Sequence, residues 1–188
     1  MEEKMDLRIR KTYLALHNAF TQLLEEKKFE DFTVNELCDR AMIRRTTFYK
    51  HFADKYEYFT FYMKEIVATF QDRLAPDVLE GEVNTYLLHM SGELLRFMNQ
   101  HDRLVQNIKG SSMFPVLLSI LLDQIGEDVK QVLRRANKSK NIDRKRTDEI
   151  AAFYAGGLLN TLFQYLKNAI PIDEEEFIEF ISKWLSAV

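Results

Sequence analysis

Apolar residues recur three and four positions apart along most of this chain, and little interrupts them. Tyr13, Leu16, Phe20, Leu23 and Leu24 keep the spacing in the first segment, and Tyr56, Phe59, Met63, Ile66, Val67, Phe70 and Leu74 keep it further on. Such spacing stacks apolar side chains along one side of a 3.6-residue helix and does not suit a strand. Only six glycines and three prolines stand among 188 residues, so helix breakers are scarce. The fold class that follows is all-α. A hydrophobic share of 46% is enough to bury a core in one or two small domains.

The same periodicity predicts the elements. An amphipathic helix spans about 7–27, after which Phe29 and Phe32 turn the chain back onto it. Thr33 stands three residues before Glu36, the capping-box spacing, and starts a short helix at Val34 with Val34, Leu37, Cys38 and Ala41 inward. A second short helix begins near Arg45. A long helix follows over about 54–74 and ends before Pro76, and further helices are expected at about 82–100, 103–109, 115–135, 144–167 and 174–186. Asp173 and Glu176 repeat the capping-box pattern at the start of the last one.

Charge is unevenly placed. The net charge is −3, yet 40–55 holds Arg40, Arg44, Arg45, Lys50 and Lys55 against Asp54 alone, while 56–188 holds 15 basic and 19 acidic residues. One small basic patch therefore sits on an acidic body. Within it, Phe48 and Phe52 lie four apart on one helix face and read as core. Arg45, Thr46, Tyr49 and Lys50 are left outside. Two short helices joined by a tight turn, the second with an outward basic and aromatic face, match a helix-turn-helix whose second helix enters the DNA major groove. Arginine and lysine bond guanine edges or phosphates, the tyrosine hydroxyl reaches a phosphate, and Thr47 contacts a thymine methyl or the backbone.

The run TVNELCDRAMIRRTTFYKHFADK, residues 33–55, resembles the DNA-binding signature of the TetR/AcrR family of one-component regulators. Thr33, Leu37, Ala41, Ile43, Arg45, Thr47, Phe48, Tyr49, Phe52 and Lys55 stand in register with it. Three positions depart: Met42 where a turn glycine is usual, Arg44 where Ser or Asn caps the recognition helix, and Cys38 where alanine is common. The stretch FYAGGLLNTLFQYLKNAIPIDEEEFIEFISKWL is similar to the closing helix pair of a subgroup that includes dihydroxyacetone kinase regulators. The resemblance implies a helix-turn-helix head over 1–53 and a helical ligand and dimer domain over 54–188. It also implies a homodimer on a palindromic double-stranded operator, with repression the common mode and activation known in the kinase-regulator subgroup.

Candidate residues follow. DNA contacts are expected from Arg44, Arg45, Thr46, Thr47, Tyr49, Lys50 and His51, with Thr33 and Lys55 on phosphates. Phe59, Met63, Phe70, Met90, Phe97, Met113, Phe114, Leu117 and Tyr154 are candidates to surround a small apolar effector, though core is the plainer reading for most of them. Dimer contacts are expected from Phe153, Gly156, Gly157, Leu159, Leu162, Phe163, Phe177, Ile181 and Trp184. A glycine pair in mid-helix costs about 1 kcal/mol per residue against alanine, so a close helix crossing, within one subunit or between two, is expected to compensate.

Other classes fit less well. No G-x-S-x-G, P-loop, G-x-G-x-x-G or H-E-x-x-H occurs, so no enzyme, cofactor or metal site is expected. His89 and Glu93 read as a surface pair, Cys38 as a small buried residue, and the basic loop 138–146 as a solvated linker. With one cysteine, no segment of signal-peptide character and no long apolar run, the expected setting is the cytoplasm, away from membranes. The competing reading is a helical ligand-binding or adaptor protein that keeps the fold without DNA binding. Retention of Arg45, Thr47, Tyr49, Lys50 and Lys55 argues for the regulator.

Overall fold

The computed structural model describes residues 7–74, 78, 82–136, 144–168 and 173–186. Among them stand nine α-helices, one 3-10 turn and no strand. The helices are α1 (Leu7–Glu26), α2 (Val34–Arg40), α3 (Arg45–Phe48), α4 (Lys55–Arg73), α5 (Val83–Gln100), α6 (Asp102–Lys109), α7 (Phe114–Ala136), α8 (Arg144–Asn168) and α9 (Glu174–Ser186), and the 3-10 turn is Phe29–Asp31. Each long helix begins and ends within a residue of its predicted bounds. Residues 138–143 of the basic loop lie outside the described residues, as does the side chain of Trp184.

The helices form two compact units. The first takes the described residues up to Met63 together with His101–Leu117. Its core is aromatic: Phe20 meets Tyr58 and Tyr62 edge to face at 4.9 Å and Phe32 at 5.5 Å. Pairs of this kind contribute about 0.5–1.5 kcal/mol beyond area burial. Tyr56, expected on the inner face of α4, is largely exposed, and Tyr58 and Tyr62 are buried in its place. Tyr62 can be buried because its hydroxyl lies 2.7 Å from Thr21 Oγ1. Burial pushes its pKa up to about 12.

Residues 101–117 belong to the first unit although the expected domain division at 53/54 would group them with the C-terminal part. The attachment is polar as well as apolar. Helix α6 packs on α1, and Asn107 donates to the Leu24 carbonyl at 2.8 Å. The Ser112 backbone N–H and hydroxyl both donate to Glu30 Oε1 at 2.6 Å, and His101 Nδ1 lies 3.2 Å from Glu25 Oε1.

The second unit takes Lys64–Gln100 and the described residues from Leu118 onward. Here α5 packs on α8 and α9, burying Tyr86, Met90 and Leu95 of α5 with Leu159 and Leu162 of α8 and Phe177 of α9. One carboxylate is buried among them. Asp128 of α7 accepts Gln71 at 2.6 Å and Gln124 at 3.1 Å on Oδ1, and the Tyr86 hydroxyl at 2.9 Å on Oδ2. Among the described residues no buried side-chain nitrogen or oxygen lacks a partner, as the cost of an unpaired buried polar group leads one to expect.

Candidate nucleic-acid interface

Thr33 starts the site. Its backbone is extended and its hydroxyl accepts the Glu36 N–H at 3.2 Å, the cap predicted for α2. The reciprocal half of the capping box is not made. Glu36 instead turns Oε1 to the Lys27 ammonium at 2.6 Å, a partner across the turn that the local spacing does not reveal.

The turn after α2 runs through Met42, which has φ of 54°. A left-handed residue is what closes this turn, and glycine is the residue that takes that conformation without strain. The methionine adopts the glycine's geometry and its side chain is 94% exposed. Arg44 then precedes α3 with extended backbone and no side-chain cap, the consequence expected where a Ser or Asn is missing.

The recognition segment is shorter than a regular helix. Only Arg45–Phe48 forms the helical turn, and Phe48 O then accepts the His51 and Phe52 N–H groups at 2.9 and 3.0 Å to carry the chain into α4. Phe48 and Phe52 are buried, in tilted contact at 5.6 Å, and hold the segment to the head. Arg44, Arg45, Thr46, Tyr49 and Lys50 are exposed, while Thr47 and His51 are half-buried. Tyr49 leaves 54% of its surface in water. His51 is held from α1 by Tyr13, whose ring lies 5.4 Å away and whose hydroxyl is 3.4 Å from Nδ1. Tyr13 was legible only as one residue of the α1 apolar pattern.

Lys55 has another task than the phosphate contact expected of it. Its ammonium donates to the carbonyls of Phe29 at 2.8 Å and Phe32 at 2.7 Å, with a longer contact to that of Glu30 at 3.4 Å. It also lies 4.6 Å from the centre of the Phe29 ring. An ammonium has three donors, and here they face the protein. Burial lowers its pKa. Lys55 therefore ties the start of α4 to the 3-10 turn, which lies 23 to 26 residues back in the chain.

Cys38 is fully buried and free, and burial pushes its thiol pKa up, so it behaves as a small core residue.

The head over residues 18–59 matches the model of the bacterial regulatory proteins of the tetR family, and residues 86–187, more than half of the chain, match that of a transcriptional regulator C-terminal region. The chain belongs to the TetR family of transcriptional regulators. The uncharacterized HTH-type transcriptional regulator YxbF of Bacillus subtilis (strain 168) is 39% identical over 57 residues, which are 30% of this chain and 15% of that protein. The likeness is confined to that short stretch. In fold, the regulator is similar to the dihydroxyacetone kinase operon activator DhaS, with a TM-score of 0.68 at 18% identity over 94% of each chain. It is also similar to the transcriptional regulator FadR of Bacillus subtilis, solved with stearoyl-CoA, with a TM-score of 0.63 at 14% identity over 92% of this chain and 97% of that one.

The nine effector candidates fall in both units. Phe59, Met63, Met113, Phe114 and Leu117 belong to the first unit, and Phe70, Met90, Phe97 and Tyr154 to the second. Phe59, Met63, Phe70, Met90 and Met113 are buried as core. Phe70 packs against Phe97 at 5.5 Å. Tyr154 alone of the nine borders a cleft of about 350 Å³ in the second unit. Its other walls are Leu87 and Ser91 of α5, Phe153, Gly157 and Leu158 of α8, and Phe180 and Ile181 of α9, with Asn160 and Thr161 at a polar edge.

The dimer candidates divide as well. Leu159, Leu162 and Phe177 are buried within the protomer, which removes them from any contact surface. Phe163 is half-buried. Phe153 is 69% exposed, and a Cβ placed on Gly156 or Gly157 would meet nothing within 4 Å. No crossing among the described residues therefore calls for the glycine pair. Phe180, 55% exposed on α9, is not among the residues the sequence offered for this face.

Proposed function

We propose that this TetR-family regulator acts as a homodimeric repressor that reads a two-fold related operator and is switched by a small apolar molecule. The single observation that carries the DNA reading is the exposed face of Arg44, Arg45, Thr46, Tyr49 and Lys50 backed by the buried Phe48 and Phe52. A rigid aromatic base under an outward cationic and hydroxyl-bearing surface suits phosphate and base-edge contact at once. Thr47 and His51 complete the face, with His51 oriented by Tyr13. Thr33 adds the first turn of α2, whose N-terminal end favours a phosphate. The cytoplasm is the compartment where such a protein meets its operator.

Pairing is assigned to the outer side of α8 with α9, because Phe153, Gly156, Gly157 and Phe180 are open there. Two heads joined this way read half-sites about 34–36 Å apart or a multiple of that. An apolar effector class is supported by the apolar walls at Tyr154, and the FadR of similar fold was solved with a molecule that carries an apolar stearoyl chain, although its CoA part is anionic. Any such effector acts by favouring one arrangement of the two heads over another.

The test is operator binding by the Tyr49→Ala/Lys50→Ala double variant. Affinity is expected to fall at least tenfold with the melting curve unchanged, and Lys50→Ala alone is expected to flatten the dependence of log affinity on log salt by about one unit. Affinity and salt slope equal to the parent's would refute the assignment.

A further inference from the structure

We propose that the cleft between α5, α8 and α9 is a site for a neutral apolar molecule whose open side is closed by a second copy of the chain, so that ligand binding and pairing strengthen each other. The inference rests on the reading that two chains pair through α8 and α9, and adds what that pairing encloses.

The walls set the ligand class. Among the described residues ten line the cleft, and none of them is Lys, Arg, His, Asp or Glu. The hydroxyls of Ser91 and Thr161 already donate to carbonyls of their own helices, Leu87 O at 2.6 Å and Gly157 O at 2.8 Å. Neither has a hydrogen left for an anion, and the other hydroxyl among the described lining residues, that of Tyr154, is a neutral donor and supplies no counter-charge. Asn160, exposed at the edge, offers one amide that can both give and accept. A carboxylate or phosphate taken into such walls loses its hydration without a counter-charge, whereas an alcohol or amide keeps one hydrogen bond and buries the rest. At about 350 Å³ the space falls in the range of small-molecule sites, roughly 300–1,000 Å³.

The rim sets the partner. Phe153 and Phe180 stand at the mouth with 69% and 55% of their surfaces in water, and Gly157 forms part of the wall with open space where its side chain would be. A protomer alone leaves two rings exposed beside an apolar hollow and carries the cost of a mid-helix glycine that nothing among the described residues needs. A second copy laid on the same face covers the rings, uses the glycine for close approach and shuts the hollow. The effector and pairing surfaces, read from the sequence as separate sets, thus meet at Tyr154 and its neighbour Phe153. By linkage, a ligand enclosed by both copies tightens the dimer by the same factor that dimerisation tightens the ligand.

The experiment uses the full chain with 1-decanol as the neutral probe and decanoate as its anionic counterpart. Sedimentation velocity over a dilution series gives the dimer dissociation constant, and equilibrium dialysis of labelled decanol above and below that constant gives its stoichiometry. Saturating decanol is expected to lower the dimer constant by roughly a hundredfold, about tenfold for each of two sites, decanoate to leave it unchanged, and decanol to bind one per protomer in the dimer and about tenfold more weakly in the monomer. Gly157→Leu, whose side chain enters the cleft, is expected to abolish decanol binding. Asn160→Ala, at the exposed edge, is expected to weaken it with the melting curve unaltered. Dimers that ignore decanol, or monomers that bind it equally well, would overturn the proposal and leave the pairing reading intact. A chain that stays monomeric with and without decanol would overturn both, and comparable binding of decanoate would overturn the ligand class.

Discussion

Met42 holds φ at 54° with its side chain almost entirely in water. The left-handed conformation costs a residue with a Cβ about 1–2 kcal/mol, and exposure leaves no packing to offset it. Met42→Gly is therefore expected to stabilise the head by about 1 kcal/mol, read as a higher urea midpoint at constant slope with operator affinity unchanged. A lower midpoint would mean that the side chain makes contacts that outweigh the strain. Lys55 separates two roles that one cation can have. Because its donors face the carbonyls of Phe29 and Phe32, Lys55→Ala is expected to cost about 2 kcal/mol of stability. The salt slope of operator binding by the folded variant should stay at the parent value. A slope flattened by about one unit would return the ammonium to a phosphate. The outward residues of the recognition segment were legible because a four-residue spacing of Phe48 and Phe52 fixes a helix face. The partners of Lys55 were not, since they lie on a distant turn.

Caps decide where the elements begin. Asp54 Oδ1 accepts the N–H groups of Tyr56 and Glu57 at 2.8 and 2.9 Å, and Glu57 Oε2 reaches back to the Ala53 N–H at 2.6 Å. Asp173 does the same for α9, accepting the Glu176 N–H at 2.9 Å. Such bonds span two to four residues, which is why the predicted helix ends agree with the observed ones to a residue. Helix α8 carries the opposite signal in its glycine pair. A Cβ at either position meets no described residue within 4 Å, so Gly156→Ala and Gly157→Ala are each expected to stabilise the isolated protomer by about 1 kcal/mol. If the pair lies in the contact between two chains, the same changes weaken the dimer. Chemical denaturation at low concentration and light scattering at high concentration measure the two effects separately. Alanines that leave the dimer as tight as before would remove the glycines from the interface.

At the scale of the molecule, Asp128 joins three helices of the second unit through Gln71, Tyr86 and Gln124. Burial raises its pKa, outweighing those three hydrogen bonds, each of which favours the charged form. A carboxyl with a folded-state pKa above its unfolded value binds its proton more tightly in the folded chain. Its stabilising contribution is full below the usual aspartate range and is lost as pH rises through the raised value. The parent's stability relative to Asp128→Asn is therefore expected to fall as pH rises through that window, measured as urea midpoints of both proteins across a pH series. A difference that does not vary with pH would show that Asp128 titrates as it does when unfolded. The sequence held a hint, for Leu121, Ile125, Asp128 and Val132 share one helical face and place an acid at a core register.

Period, caps and local charge determined the all-α class, the helix ends and the split of 45–52 into buried rings and an outward basic face, because each is settled within four residues along the chain. Tertiary structure alone decided which helix meets which. It set residues 101–117 on the first unit, turned Lys55 inward, divided the apolar effector candidates between two cores and brought Tyr154 beside Phe180 on one cleft. Helical periodicity specifies that a face is apolar, whereas the identity of the surface that covers it depends on packing between residues far apart in sequence.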